Sequence, residues 1–274
     1  MSNDRNIIRI ENLVKSFVLP HETISAIKEC NVVIPENSFT IIFGPSGSGK
    51  STLLDAITGL EKPTGGKVIF KDTDLYSMSA DSRANFRANN LGMVYQTNYW
   101  VTSLSVLDNV CMPLYLSGYM PHQARAIAMS YLKQVNVDHL ANQRPGVLST
   151  GEQQRVSMAR ALVSDPEVIV ADEPTGNLDT HNGDVIMGLL LKLQKDFKKT
   201  VILVTHNLEY LPMSTHRISV RDGKVAVDDS QYGLSSKIKA RLTNVMNENA
   251  KSSAVLNSSE PQATSKKVKI HEPK

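Results

Sequence analysis

The chain has 274 residues, 41% hydrophobic and 21% charged, a composition of folded globular proteins and a length for one large domain or two small ones. Net charge is +3, but residues 1–230 carry 22 basic against 24 acidic side chains and residues 231–274 carry 8 against 3, so the body lacks the electrostatic footprint of a nucleic-acid binder. No apolar run approaches a membrane span and the start, MSNDRNIIRI, has no apolar signal core, so a cytosolic protein that needs a partner for any role at a membrane is expected.

Strands are expected over 7–17, 24–34 and 38–43, separated by Asn-rich and Pro-containing turns, with a further strand at 67–70. Between the third and fourth lies GPSGSGKST, which matches the phosphate-cradling pattern G-x-x-x-x-G-K-[ST] through Gly44, Gly49, Lys50 and Ser51. Glycines let backbone N–H groups approach a triphosphate; Lys50 supplies charge to its outer phosphates; the Ser51 hydroxyl can ligate Mg²⁺. KSTLLDAITGL reads as the following helix, with Thr52 at its start and its dipole favouring the anion. The stretch Gly44, Pro45, Ser46, Gly47, Ser48, Gly49, Lys50, Ser51 and Thr52 is therefore the expected ATP-binding loop. Cys30 and Cys111 have no metal or redox spacing and read as small buried side chains.

Gln96 ends LGMVYQ and presents an uncharged polar head able to reach Mg²⁺ or a water. The region from about 103 to 163 is mostly helical in pattern. Within LSTGEQQR, Ser149 and Glu152 form an S-x-x-E capping box that opens a helix running through Leu162. Thr150 and Gly151 are expected to leave its first N–H groups exposed, a second anion-binding helix start. Then come two wholly apolar runs, VIVAD and VILVTH, which suit central parallel strands buried on both faces. A helical stretch between them completes a β-α-β unit. Asp172 and Glu173 end the first run: the former is placed to hold Mg²⁺, the latter to act as general base on water. His206 ends the second run at the same sheet edge, where contact with a γ-phosphate is expected. RISV and KVAV, split by Arg221-Asp222-Gly223, read as a closing hairpin. Leu234 to Met246 have helical spacing; residues 249–274 lack periodicity and read as disordered.

These elements, in this order, resemble the nucleotide-binding subunit of an ATP-binding cassette (ABC) transporter over about residues 7–229. GPSGSGKST resembles Walker A, VIVADEP Walker B, LSTGE the family signature, Asn177-Leu178-Asp179 the D-loop; Gln96 matches the Q-loop and His206 the switch histidine. The resemblance implies an α/β P-loop NTPase core of RecA-like type with a parallel sheet, an N-terminal antiparallel β-subdomain and an inserted helical signature subdomain at about 97–163. It implies one ATPase domain over 1–230 and a basic tail over 231–274. Phe17, in LVKSF, stands where the family carries an aromatic that stacks on adenine; a core strand residue is the other reading. Two copies would pair head to tail around two ATP. Ser149, Thr150, Gly151 and Glu152 of one copy would meet the nucleotide on the other, with Asp179 beside them, and Mg²⁺ would be held by Ser51, Gln96 and Asp172.

ADEPTGNLD, GEQQRVSMARAL and NVCMPL resemble the branch of macrolide-export, lipoprotein-release and FtsE-like ATPases, which work with a separate membrane permease. Its docking is implied near 97–125, where Trp100 serves either as a partner contact or in core packing. Thr150 departs from the usual signature glycine, and Val147 from an acidic residue common in the branch. Cassettes that act on DNA are interrupted by long coiled coils, for which the 122 positions from Lys50 to Asp172 leave no room. Translation-linked relatives carry two cassettes in one chain. A non-hydrolysing sensor would not need Glu173 and His206.

Overall fold

The computed structural model describes residues 5–228 and Arg241. Apolar residues in the first two strands bury one face of an antiparallel pair. β1 (Asn6–Val18) lies beside β2 (Thr23–Pro35), and Ile8, Ile10, Leu13, Ile27 and Ile34 are buried between the sheets. β3 (Phe39–Phe43) leaves for the second sheet and runs into α1 (Lys50–Ile57). The helix begins at Lys50 rather than Thr52, because Gly49 turns the chain in a left-handed N-cap conformation, φ 107°. β4 (Gly65–Phe70) and β5 (Thr73–Asp74) complete the first sheet in the order β2-β1-β4-β5.

α2 (Ala80–Asn90) leads into β6 (Leu91–Val94), and neither was expected from periodicity. No residue of α2 is buried, so no hydrophobic stripe marks it. It is held by Phe86, whose ring packs edge-on against Phe70 at 4.8 Å, by Ser79 at its N-cap, and by Arg83 and Arg87, which both donate to the Gly59 carbonyl. Three helices follow: α3 (Val106–Leu116), α4 (Pro121–Gln134) and α5 (Thr150–Leu162). β7 (Val168–Asp172), α6 (Thr180–Lys195) and β8 (Thr200–Thr205) form the anticipated β-α-β unit, and β9 (His216–Arg221) and β10 (Lys224–Val227) the closing hairpin.

The second sheet runs β10-β9-β3-β8-β7-β6, parallel except for β10. Alternate residues of its central strands enter two different cores, which explains why those strands are apolar throughout. Ile42, Val170, Ile202 and Val204 pack with α1 and the first sheet. Ile41, Ile169, Ala171 and Leu203 pack with the helices, among them Val156 and Met158 of α5. Leu53, Leu54 and Ile57 fix α1 to the first core, each burial contributing about 1.5–3 kcal/mol. The start of α1 is thereby held where β3 ends. Cys30 and Cys111 are buried free thiols, and burial pushes Cys30 up to about 11. The helix expected over about 234–248 lies outside the described residues, Arg241 excepted.

Candidate active site

The phosphate loop passes between two backbones that leave no space for a side chain at Gly44 or Gly49. A Cβ on Gly44 would stand 1.9 Å from the Val220 carbonyl oxygen of β9, and one on Gly49 2.5 Å from that of Ala26 in β2. The hairpin turn pins the loop further: Gly223 N–H donates to Ser48 O at 3.0 Å. Lys50 folds beneath the loop, its ammonium donating to the carbonyls of Gly44 (3.0 Å) and Pro45 (2.9 Å). An ammonium has three donors, so one remains for an anion above the loop. Ser51 is exposed at the helix start, and no acidic side chain in the first turn competes with an anion for the positive end of the dipole.

Asp172 and Glu173 lie where β7 ends. Glu173 takes a left-handed backbone conformation, φ 46°, and its N–H donates to Val204 O at 2.9 Å. Such a conformation in a residue with a side chain costs of order 1–3 kcal/mol and is held by its surroundings. It turns the carboxylate toward the end of β8, where His206 Nδ1 lies 2.8 Å from Oε1 and the Thr205 hydroxyl donates to Oε2 at 3.3 Å. β8 stops at Thr205, so His206 belongs to the following loop and is two-thirds exposed.

Burial, then the neighbouring charges of Glu173 and Asp55, raise Asp172 to about 6, against the opposing pull of Lys50. A divalent cation would neutralise this surplus of negative charge. Carboxylate, hydroxyl and amide oxygens are the ligands Mg²⁺ takes, so the residues present fit that ion. The Gln96 amide is turned toward the D-loop, with Nε2 3.4 Å from Asn177 Oδ1. Gln96 and Glu173 share a pocket of about 210 Å³ with Asn98, Thr150, Gln153 and Asn177.

At the other end of that pocket α5 starts as the capping box dictates. The Ser149 hydroxyl and N–H both donate to Glu152 Oε2, at 2.7 and 2.8 Å. Thr150 is exposed, but Gly151 is buried, which corrects the expectation of an open helix start at that residue. The reason is Asn182, one turn into α6. Asp179 caps that helix by accepting from Asn182 N (2.9 Å) and Nδ2 (2.7 Å), and the amide so held lies against Gly151. The pattern D-x-x-N at 179–182 signals the cap, but nothing local shows that its amide meets α5. Thr205 and Asn177 were likewise missed as neighbours of Glu173 and Gln96.

Phe17 is 40% exposed at the edge of β1, opposite Ile24 of β2, with the Lys15 ammonium 4.7 Å from its ring centroid. It is therefore no core residue. Trp100 packs inward: its Nε1 donates to Gln153 at 2.9 Å, and the Arg160 guanidinium lies 4.5 Å from its ring centroid.

A phosphate loop at the first strand-to-helix turn of a parallel sheet, with Walker B carboxylates at the end of the next strand but one, defines an ATP-hydrolysing P-loop cassette. The ABC transporter family model matches residues 27–176. This chain belongs to that family. It is 38% identical over 203 residues to the lipoprotein-releasing system ATP-binding protein LolD of Idiomarina loihiensis, covering 74% of this chain and 89% of that one. It is 37% identical over 235 residues to the ABC transporter ATP-binding protein MJ0796 of Methanocaldococcus jannaschii, covering 84% and 100%. Among solved structures it is similar to dimeric MJ0796 bound to ADP and Pi, with a TM-score of 0.76 at 36% identity over 84% of this chain and 99% of that one. CbiO1 of Clostridium perfringens, part of the complex cbiONQ, gives a TM-score of 0.73 at 25% identity over 93% and 100%.

Proposed function

We propose that this cassette pairs with a second copy around two Mg·ATP and drives a separate membrane permease, in export, lipoprotein release or force transmission. The single observation that carries the reading is the 2.8 Å contact of His206 with Glu173, beside Asp172 and a phosphate loop. Residues 1–230 form the ATPase unit, and 231–274 a tail.

The loop from Gly44 to Thr52 binds the triphosphate through N–H groups, the free donor of Lys50 and the α1 dipole. Phe17 stacks on adenine through its exposed ring. Ser51, Asp172 and Gln96 would hold Mg²⁺, which supplies charge neutralisation at the phosphate oxygens. Glu173 accepts a proton from the attacking water, and His206 holds the carboxylate toward it. Ser149, Thr150 and Glu152 contact the nucleotide bound on the partner copy, with Gly151 beneath them against Asn182, and Asp179 holds its loop at the same face.

No helix among the described residues is long and apolar enough to cross a membrane. We place the protein in the cytoplasm, on the inner face of the membrane through its permease, which docks near residues 97–125. Exposed Tyr99 (71%) and Leu116 (82%) offer it apolar contact there. No partnership with nucleic acid is proposed.

Glu173→Gln tests the reading. The amide cannot accept the water's proton, so ATP binding should survive while an ATP-bound dimer accumulates in size-exclusion chromatography. Hydrolysis at the wild-type rate would overturn the assignment of the base.

A further inference from the structure

Arg241 lies beyond the closing hairpin, in the basic stretch that no motif claims, and its guanidinium reaches back to α6. Nε donates to Asp184 Oδ2 and Nη2 to Oδ1, both at 2.7 Å, while Glu209 Oε2 stands 3.8 Å from Nη1. This is a bidentate fork, the strongest form of charge-assisted hydrogen bond between side chains. The Asp184 side chain is only 5% exposed. A carboxylate so buried is costly without a partner, so the contact is a specific one.

Behind Asp184 the contacts continue toward the reacting groups. Tyr210 is buried, and the Thr175 side chain lies on the same side of α6, its Cβ 3.6 Å from where a Cβ on Gly183 would stand. A Cβ on Gly183, next to Asp184, would lie 3.4 Å from the Tyr210 hydroxyl, so helix and ring are in close contact. Thr175 stands two residues after Glu173, in the turn closed by Gly176 N–H donating to Glu173 O at 3.1 Å. Tyr210 stands four residues after His206, in the short helical turn Leu208–Met213. Asp184 and Tyr210 therefore join the two loops that present Glu173 and His206, and Arg241 closes the assembly from outside.

We propose that Arg241 is a positioning residue for ATP hydrolysis, acting through Asp184, Tyr210 and Thr175 on the placement of Glu173 against His206. The proposal rests on the reading of those two residues as the hydrolytic pair. An Arg241 contact that served stability alone would alter unfolding and leave turnover unchanged.

The test uses the full chain, with turnover measured well below the unfolding transition of every variant. Arg241→Ala should lower kcat about fivefold or more and change KM for ATP less than about twofold. Arg241→Lys should recover part of the loss, since an ammonium keeps the charge but not the fork. Asp184→Asn should reproduce the loss, and the double variant should be no slower than the slower single, because both act on one contact. Turnover within about twofold of wild type in Arg241→Ala, or losses that multiply in the double variant, would overturn the proposal. Should Arg241→Ala not fold, Tyr210→Phe decides: lowered kcat supports the path, normal kcat removes it. An inert Glu173→Gln beside a fully active Arg241→Ala would refute the positioning role alone. An active Glu173→Gln would refute the hydrolytic reading itself.

Discussion

Asn182 Oδ1 lies 2.5 Å from where a Cβ on Gly151 would stand, so α5 and α6 meet through an amide on one side and a hydrogen on the other. The amide is not free to swing aside, because its nitrogen donates to Asp179 at 2.7 Å. One side chain therefore sets the signature segment against the D-loop within the same chain.

Gly151→Ala should force that amide off Asp179 and lower stability by about 1 kcal/mol, the net value of one hydrogen bond. Denaturant unfolding at neutral pH measures it. In an Asn182→Ala background the same substitution should cost clearly less, since the obstructing atom is gone. Equal costs in both backgrounds would show that the contact does not constrain Gly151.

Arg160 ties the segment after Gln96 to α5. It donates to Asn98 O at 2.6 Å and stacks on Trp100, whose Nε1 is in turn held by Gln153. Arg160→Ala removes the donor and leaves a half-buried carbonyl without it, which should cost about 1–3 kcal/mol. Trp100→Phe keeps a ring beneath the guanidinium and loses only the bond to Gln153, so its cost should be the smaller. Thermal unfolding of the two variants, compared with wild type, ranks them; the opposite order would place the main anchor in the indole.

The Ser149 hydroxyl, then its backbone N–H, hold the Glu152 carboxylate below its usual range. The unfolded chain therefore binds more protons in the window between the two pKa values. The stabilisation is complete above the unfolded value of about 4.3 and is lost as pH falls through the lower folded value. Glu152→Gln should be less stable than wild type at pH 7, and the gap in unfolding midpoint should shrink as pH drops below about 4. A gap constant down to pH 3 would deny the charge any part in the cap.

Much of the site was legible because its chemistry is local. Gly44 to Ser51 span a single turn, so the residue types themselves report the need for close backbone approach, a cation and a hydroxyl. Ser149 and Glu152 lie three apart, the reach of one helical turn, and the capping box formed as spacing demands. VIVAD and VILVT were apolar throughout because two cores flank them. α2 escaped notice for the converse reason: one aromatic, Phe86, together with a polar cap and arginine bonds to Gly59 holds it, and a single apolar residue makes no period.

Contacts between distant segments had no such record. The sequence by itself determined the phosphate loop, the carboxylates at the end of β7, the capped signature helix and the family, because each depends on residues within one or two turns of one another. Only the tertiary structure decided that Gln96 turns to Asn177, that Gly151 is covered by Asn182, that Trp100 faces α5, and that Arg241 reaches Asp184 from 57 positions away. The physical reason is the strand order. Placing β3 between β8 and β9 brings Lys50, Glu173 and His206 to one sheet edge, and that order is set by the packing of two cores rather than by any local pattern.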